Sequence, residues 1–225
     1  MFKYYEPKDL TVFVFTAGDD PLVFETIERL RKYTPRNPSF VIWNNCSSRE
    51  YVEKLRPLCD LLIDANPSVG QSPSFGWPFI YLEYKFLIFC PSDMFCHAEY
   101  FNMMFPYFVN QKVGAIGESF RSDFNTYHFA TKDTLPDAFC IYRRTMIDEI
   151  GSTSPRFGRY GHMDLDLKLR GLKAGWEIIS VNAGTIHNRM AKDNPINSDP
   201  VAFEKDLNVS CQALIHPKEK WWSLT

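Results

Sequence analysis

The chain has 225 residues, 45% of them hydrophobic and 23% charged, which suits one globular domain with its own core and excludes wholesale disorder or a fibrous fold. A formal net charge of -2 and an isoelectric point near 6.2 supply no global basic field, so nucleic acid and anionic membranes are disfavoured as partners. The longest apolar runs fall far short of the roughly 20 residues that a spanning helix requires, and the opening MFKYYEPKDL lacks the apolar stretch and cleavage site of a secretory leader. A cytoplasmic protein with no transmembrane segment is therefore expected, placed in host cytoplasm if its source is viral.

In chain order, Leu10 to Thr16 reads as a buried strand, and Asp19-Asp20-Pro21 opens a helix through about Lys32. Ser39 to Trp43 is a second strand, and the turn Asn44-Asn45-Cys46-Ser47-Ser48 offers serines to cap a helix reaching about Leu58. Leu61 to Asp64 reads as a third strand, Asn66 to Pro78 as a Gly/Pro/Ser-rich loop, and Lys85 to Cys90 as a fourth strand after an aromatic stretch. This β-α-β-α-β order predicts a mostly parallel central sheet flanked by helices, an α/β fold whose ligands bind beyond the carboxyl ends of the strands. The segments to inspect are then Thr16 to Asp20, Asn44 to Ser48 and Pro91-Ser92-Asp93.

Further on, Val113 to Gly117 and Phe139 to Tyr142 read as strands, separated by a polar segment, Glu118 to Asp137, that could cover a site. Asp164 to Ala174 has helical periodicity and stops at Gly175, Glu177 to Val181 is another strand, and Asn188 to Pro200 reads as a loop or lid. The six cysteines, at 46, 59, 90, 96, 140 and 211, form no CxxC pair and are expected as buried free thiols. The aromatic content of 16% exceeds what one core usually absorbs, so part of it, such as Trp77, Tyr127 or Trp221, could stack on an acceptor.

The segment from Ala138 to Ile178, AFCIYRRTMIDEIGSTSPRFGRYGHMDLDLKLRGLKAGWEI, resembles the C-terminal half of inverting nucleotide-sugar transferases of glycosyltransferase family 2. The resemblance rests on Phe139, Arg144, Gly151, Phe157, Asp164, Asp166-Leu167, Arg170 and Gly175, and in the first half on Thr11 to Phe15, the turn after Trp43 and the strand ending at Asp93. It covers about residues 10 to 190 and implies a single GT-A (Rossmann-like) domain. Residues 10–110 would be its nucleotide-sugar-binding half, 111–190 its acceptor and catalytic half, and 191–225 a C-terminal extension.

The resemblance implies a hexosyltransferase-like enzyme with a nucleotide-sugar donor, UDP-sugar being the first choice, a glycan, lipid or protein acceptor, and Mn2+ or Mg2+ as cofactor. The chemistry asks for these groups: a departing diphosphate gathers negative charge that a carboxylate-held divalent ion stabilises, and an acceptor hydroxyl needs a base. Asp93 and His187 are the metal candidates, and Asp164 is the candidate base. Asp166 reads as structural, paired with Arg170. Thr16, Ala17, Asp19, Asn44, Gly70 and Arg144 are the candidate substrate-binding residues, and Arg189 or Lys192 would meet the diphosphate from the lid. The sequence departs from the family pattern where Met163 replaces a Glu, where Pro91-Ser92-Asp93 replaces Asp-x-Asp, and where Asn44 replaces an Asp. These departures keep a second expectation open, a nucleotide-sugar or glycan-binding module that retained the fold without turnover.

Overall fold

The computed structural model describes residues 8–35, 37–66, 71–118, 130–131, 135–136, 139–153 and 163–187. Gly70, Tyr127, Phe157, Arg189, Lys192, Trp221, the expected lid at 188–200 and Cys211 lie outside the described residues, as does most of the expected covering segment. The described strands are β1 (Lys8–Ala17), β2 (Ser39–Asn45), β3 (Leu61–Ala65), β4 (Tyr84–Pro91), β5 (Met94–Phe95), β6 (Val113–Glu118), β7 (Ala130–Thr131), β8 (Cys140–Arg143), β9 (Glu177–Val181) and β10 (Ile186–His187). The α-helices are α1 (Leu22–Tyr33), α2 (Arg49–Leu55), α3 (Gln71–Tyr81), α4 (Ala98–Met104), α5 (Arg144–Ile150) and α6 (Met163–Lys173).

Eight strands form one sheet in the order β3-β2-β1-β4-β8-β6-β9-β7, and β5 and β10 form a separate two-stranded ladder. The first four strands pair in parallel, as do β6 and β9, whereas β8 runs antiparallel to both β4 and β6. The predicted parallel, helix-covered sheet is present, with β8 as an antiparallel strand inside it.

The alternation of side chains divides the core in two. On one face, Val12, Val14, Ile42, Ile88, Ile116, Ile141 and Ile179 meet apolar residues of α1, α2 and α4, such as Ile27, Leu55 and Tyr100. On the other, Phe13, Val41, Leu87, Phe89, Tyr142 and Ile178 meet Phe75 and Phe79 of α3, Met146 of α5 and Leu167 of α6. Both faces being covered explains why the strands read as near-continuous apolar runs.

The expected loop at 66–78 is corrected: its second part is α3, beginning at Gln71 with Pro78 inside. Proline and serine disfavour a helix locally, but Phe75 and Phe79 stack around Phe89, with ring centroids 4.2 and 6.5 Å from it, and that burial overrides propensity. Helix α5 stops at Gly151, whose φ of 78 is left-handed, a backbone state that glycine adopts without strain. The five described cysteines are free thiols; Cys90, Cys96 and Cys140 are buried as expected, whereas Cys59 is half-buried and Cys46, in the turn after β2, is exposed. Among the described residues no helix is long and apolar enough to cross a membrane.

Candidate functional site at the carboxyl end of the sheet

The parallel register aligns three polar residues in one row: Thr16 of β1 pairs with Asn44 of β2, which pairs with Asp64 of β3. Side chains in one row of a parallel sheet point to the same face, so these three lie side by side under α2. Thr16 and Asn44 are fully buried. Asn44 donates from Nδ2 to Asp64 Oδ1 at 2.8 Å, and its Oδ1 accepts a short hydrogen bond from Ser47 Oγ, which also donates to the Gly18 carbonyl at 2.6 Å. Thr16 Oγ1 lies 3.3 Å from Tyr51 Oη, and that hydroxyl donates to the Asp20 carbonyl at 2.6 Å. Burial pushes the Tyr51 phenol up to about 12.

Thr16 and Asn44 therefore act from beneath the surface, organising the turns above them. The exposed rim is made by Ala17, Asp19, Cys46 and Asp64, with Gly18 half-buried between them. Gly18, at a left-handed φ of 64, turns the chain off β1 while its N–H still reaches the Asn45 carbonyl. Asp19 accepts from the Ser48 N–H at 2.7 Å, and hydrogen bonds from the Ser48 hydroxyl and backbone hold its carboxyl below the usual range. Sequence reasoning missed Asp64, the exposed carboxylate of this row. It sits in a run that reads simply as a strand, and only the register sets it against Asn44.

Asp93 follows β4 at the same end and is largely buried. The turn before it is clamped to α1: Ser92 Oγ donates to Asp20 Oδ2 at 2.7 Å, and Thr26 Oγ1 donates to the Ser92 carbonyl at 2.5 Å. Asp20 Oδ1 also accepts from the Leu22 N–H at 3.1 Å, so one buried carboxylate caps α1 and pins the turn. The ladder of β5 with β10 then sets His187 opposite Met94, the residue next to Asp93. Two residues 94 positions apart in sequence thus become neighbours through a four-residue ladder that periodicity cannot reveal.

A carboxylate such as that of Asp93 suits a hard divalent ion such as Mn2+ or Mg2+, which fills its remaining positions with water and substrate phosphates, and the backbone pairing of β5 with β10 brings position 187 next to that turn. Among the described residues no group of three or more His, Cys, Asp or Glu converges into a cage made by protein alone.

Asp164 lies in the first turn of α6, which runs antiparallel to β9 and so begins at the carboxyl end of the sheet. Its side chain is 27% exposed, and Oδ2 accepts from Lys168 Nζ at 3.0 Å. Asp166, two residues on and so on the opposite side of α6, is buried and accepts twice from Arg170, at 3.0 and 2.9 Å, and desolvation raises its carboxyl above the usual range. Arg170 spends its other donors on the carbonyls of Ile150, Gly151 and Ser152, capping the end of α5. The expected structural pair is thus present.

Arg144 is not brought to this group. Strand β8 runs antiparallel to β4, with Arg143 opposite Phe86, so Arg144 stands at the amino end of β4. The eight residues of β4 separate the two ends by roughly 23 Å at the usual strand rise. Its guanidinium donates to the Leu82 carbonyl at 2.7 Å and to Asp148 at 2.6 Å, and stacks over Tyr84. Those contacts dock α5 against the end of α3.

This strand order, a mostly parallel sheet with β8 antiparallel inside it and β7 antiparallel at its edge, and an acidic turn after β4, matches a GT-A-like fold. No family model matches the sequence, and no curated protein matches it either. Similar solved structures include a Pyrobaculum calidifontis mannosyltransferase in complex with GDP-Man and Mn2+, at TM-score 0.61 and 14% identity over 77% of this chain and 54% of that one. S. aureus TarS is similar at TM-score 0.64 and 12% identity over 95% of this chain and 41% of that chain. GalNAc-T7 with UDP, GalNAc and Mn2+ gives 0.64 and 12% over 82% and 44%. The chain spans about half, or less, of the length of these proteins.

Proposed function

We propose that this chain is a glycosyltransferase that moves a sugar from a nucleoside-diphosphate sugar to an acceptor hydroxyl in one inverting displacement. The observation that supports this most is the gathering of Asp93, the His187 strand and the Asp164 turn at one end of the sheet, beside the Thr16-Asn44-Asp64 row. In the displacement, the acceptor oxygen forms a bond to the anomeric carbon as the bond from that carbon to the diphosphate oxygen breaks. Asp164 takes the hydroxyl proton, and the nucleoside diphosphate leaves with the bonding electron pair.

Asp93 and His187 would hold a Mn2+ or Mg2+ ion, which supplies charge neutralisation for the leaving diphosphate. Ala17, Asp19 and Asp64 form the rim on which the nucleoside rests, with Thr16 and Asn44 fixing that rim from below. An exposed carboxylate with a free acceptor face suits ribose hydroxyls, which are donors in a fixed pair. The nucleotides in the similar structures, the sugar donors GDP-Man and UDP-GlcNAc and the sugar-free UDP, define the first probes. Acceptors in this reading are glycans, lipids or proteins.

The test is to incubate the chain with UDP-GlcNAc or GDP-mannose and Mn2+, with and without simple glycoside acceptors, and to follow product by NMR. A product of inverted anomeric configuration, absent with Asp164→Asn, is the expected result. A retained configuration would exclude the single displacement.

A second reading, a nucleotide-sugar-binding module without turnover, is favoured by Met163 in place of a carboxylate and by the single Asp93. It predicts nucleotide affinity with no sugar release by the wild type under any of these conditions.

A further inference from the structure

Lys168 is among the largest fully buried side chains of the protein, its side chain 1% exposed. A charged residue in the middle of an amphipathic helix ordinarily points to water, so a sequence reading assigns it to the solvated face of α6. The structure instead turns it inward. Its ammonium donates to Asp164 Oδ2 at 3.0 Å and to the Pro136 carbonyl, in the stretch ahead of β8, at 2.6 Å.

Stability alone does not explain such an arrangement. Taking an ammonium out of water costs several kcal/mol, and a well-packed apolar side chain of the same volume usually serves the fold as well or better. What the ammonium does achieve is geometric. Asp164 sits at the open edge of α6 with a single rotatable carboxylate, and Lys168 ties one of its two oxygens both to the helix and to a second segment of chain. Oδ1 has no hydrogen-bond partner among the described residues. An ammonium has donors only, so it cannot accept the proton that a reaction releases.

We propose that Lys168 is a positioning residue that holds Asp164 by Oδ2 and leaves Oδ1 as the atom that takes the acceptor proton. This rests on the reading of Asp164 as the base. The proton path follows: the acceptor O–H bond breaks as the new glycosidic bond forms, the proton goes to Oδ1, and Oδ2 keeps its hydrogen bond from Nζ. Orientation of this kind acts on the transition state rather than on the bound donor, so it appears in kcat and not in donor affinity. Arginine, longer but also a cationic donor, can reach the same oxygen, whereas methionine fills the space and leaves the carboxylate free to turn.

Two measurements on the full chain separate this inference from the function it rests on. The first is the side-chain ammonium signal of Lys168 in 15N-lysine NMR, assigned by its loss in Lys168→Met. It is expected to be resolved and protected from exchange in the wild type, and to shift or vanish in Asp164→Asn; a signal that Asp164→Asn leaves unmoved overturns the contact. The second is sugar release or transfer with UDP-GlcNAc and GDP-mannose in Mn2+. Lys168→Met is expected to lower kcat by about 10- to 100-fold with KM changed less than about twofold, and Lys168→Arg to recover most of the loss. An unchanged kcat in a folded Lys168→Met, or a loss confined to KM, overturns the positioning role. Absence of turnover in the wild type would instead refute Asp164 as a base, and the inference with it, while the NMR result still reports whether the ion pair exists.

Discussion

Replacing Asn44 by Asp tests the row of polar residues most sharply, because it installs the residue that the resemblance leads one to expect and the structure argues that it should be harmful here. Asn44 is fully buried and its Nδ2 donates to Asp64 Oδ1 at 2.8 Å. A carboxylate in its place would face another carboxylate across that gap, with charge centres about 4 Å apart, a repulsion of about 1 kcal/mol in water and about 4 kcal/mol at the effective dielectric of a protein surface. Asp64 is exposed, so the lower part of that range applies, about 1–2 kcal/mol together with a lost hydrogen bond of about 1 kcal/mol. For a chain of this length, a total of about 2–3 kcal/mol lowers Tm by roughly 4–12 °C at pH 7.

The sign with pH follows from the pair. Repulsion raises the proton affinity of the two carboxyls in the folded variant, so Asn44→Asp gains stability relative to the wild type as pH falls toward 4 and loses it as pH rises. The exchange Asn44→Asp with Asp64→Asn restores one donor facing one carboxylate and is expected to recover at least half of the loss, which a double-mutant cycle in urea at pH 7 measures. Asn44→Asp as stable as the wild type at pH 7, or a double variant no better than the single one, refutes the account of this row.

Other consequences are equally direct. Arg170→Leu leaves the Asp166 carboxylate buried without its cation and frees three carbonyls at the end of α5, and it should cost about 3–5 kcal/mol by urea unfolding; removing both charges should recover part of that. Arg144→Ala should leave UDP and GDP affinity within about twofold and cost no more than about 1 kcal/mol of stability, since its ion pair with Asp148 is exposed; a tenfold loss of affinity by calorimetry would return it to the donor site. The Tyr51 phenol, raised above its unfolded value, makes stability fall as pH climbs from about 10 to about 12. Tyr51→Phe should abolish that part of the decline, read by thermal melts across the window.

The first half of the fold was legible because its strands are buried on both sides. Runs such as Val12 to Phe15 and Phe40 to Trp43 carry apolar residues at every position, and the polar turns after them mark the carboxyl ends where the candidate site lies. Helix α3 was not legible, since Pro73 and Pro78 speak against it locally and the packing of Phe75 and Phe79 on Phe89 decides for it. The ladder of β5 and β10 has two residues on each strand and exists only through tertiary pairing, yet it is what sets His187 beside the Asp93 turn.

Among the candidate residues, Asp93, Asp19 and Ala17 lie at the strand ends where a reading of the sequence puts them, and Asp164 lies in the first turn of the expected helix. Thr16 and Asn44 lie in the right row but below its surface, and Arg144 lies at the other end of the sheet. The residues that sequence could not reveal share one property, that their role depends on a partner far along the chain. Asp64 depends on the register of β3 with β2, Asp20 on the turn 72 residues away at Ser92, and Lys168 on Pro136.

The most direct test of the central claim is calorimetric binding of UDP and GDP to the wild type, Asp93→Ala and Asp164→Asn, with and without Mn2+. The account predicts binding that Mn2+ strengthens, that Asp93→Ala loses and that Asp164→Asn keeps. Binding of neither nucleotide, or binding indifferent to both Mn2+ and Asp93, would contradict it.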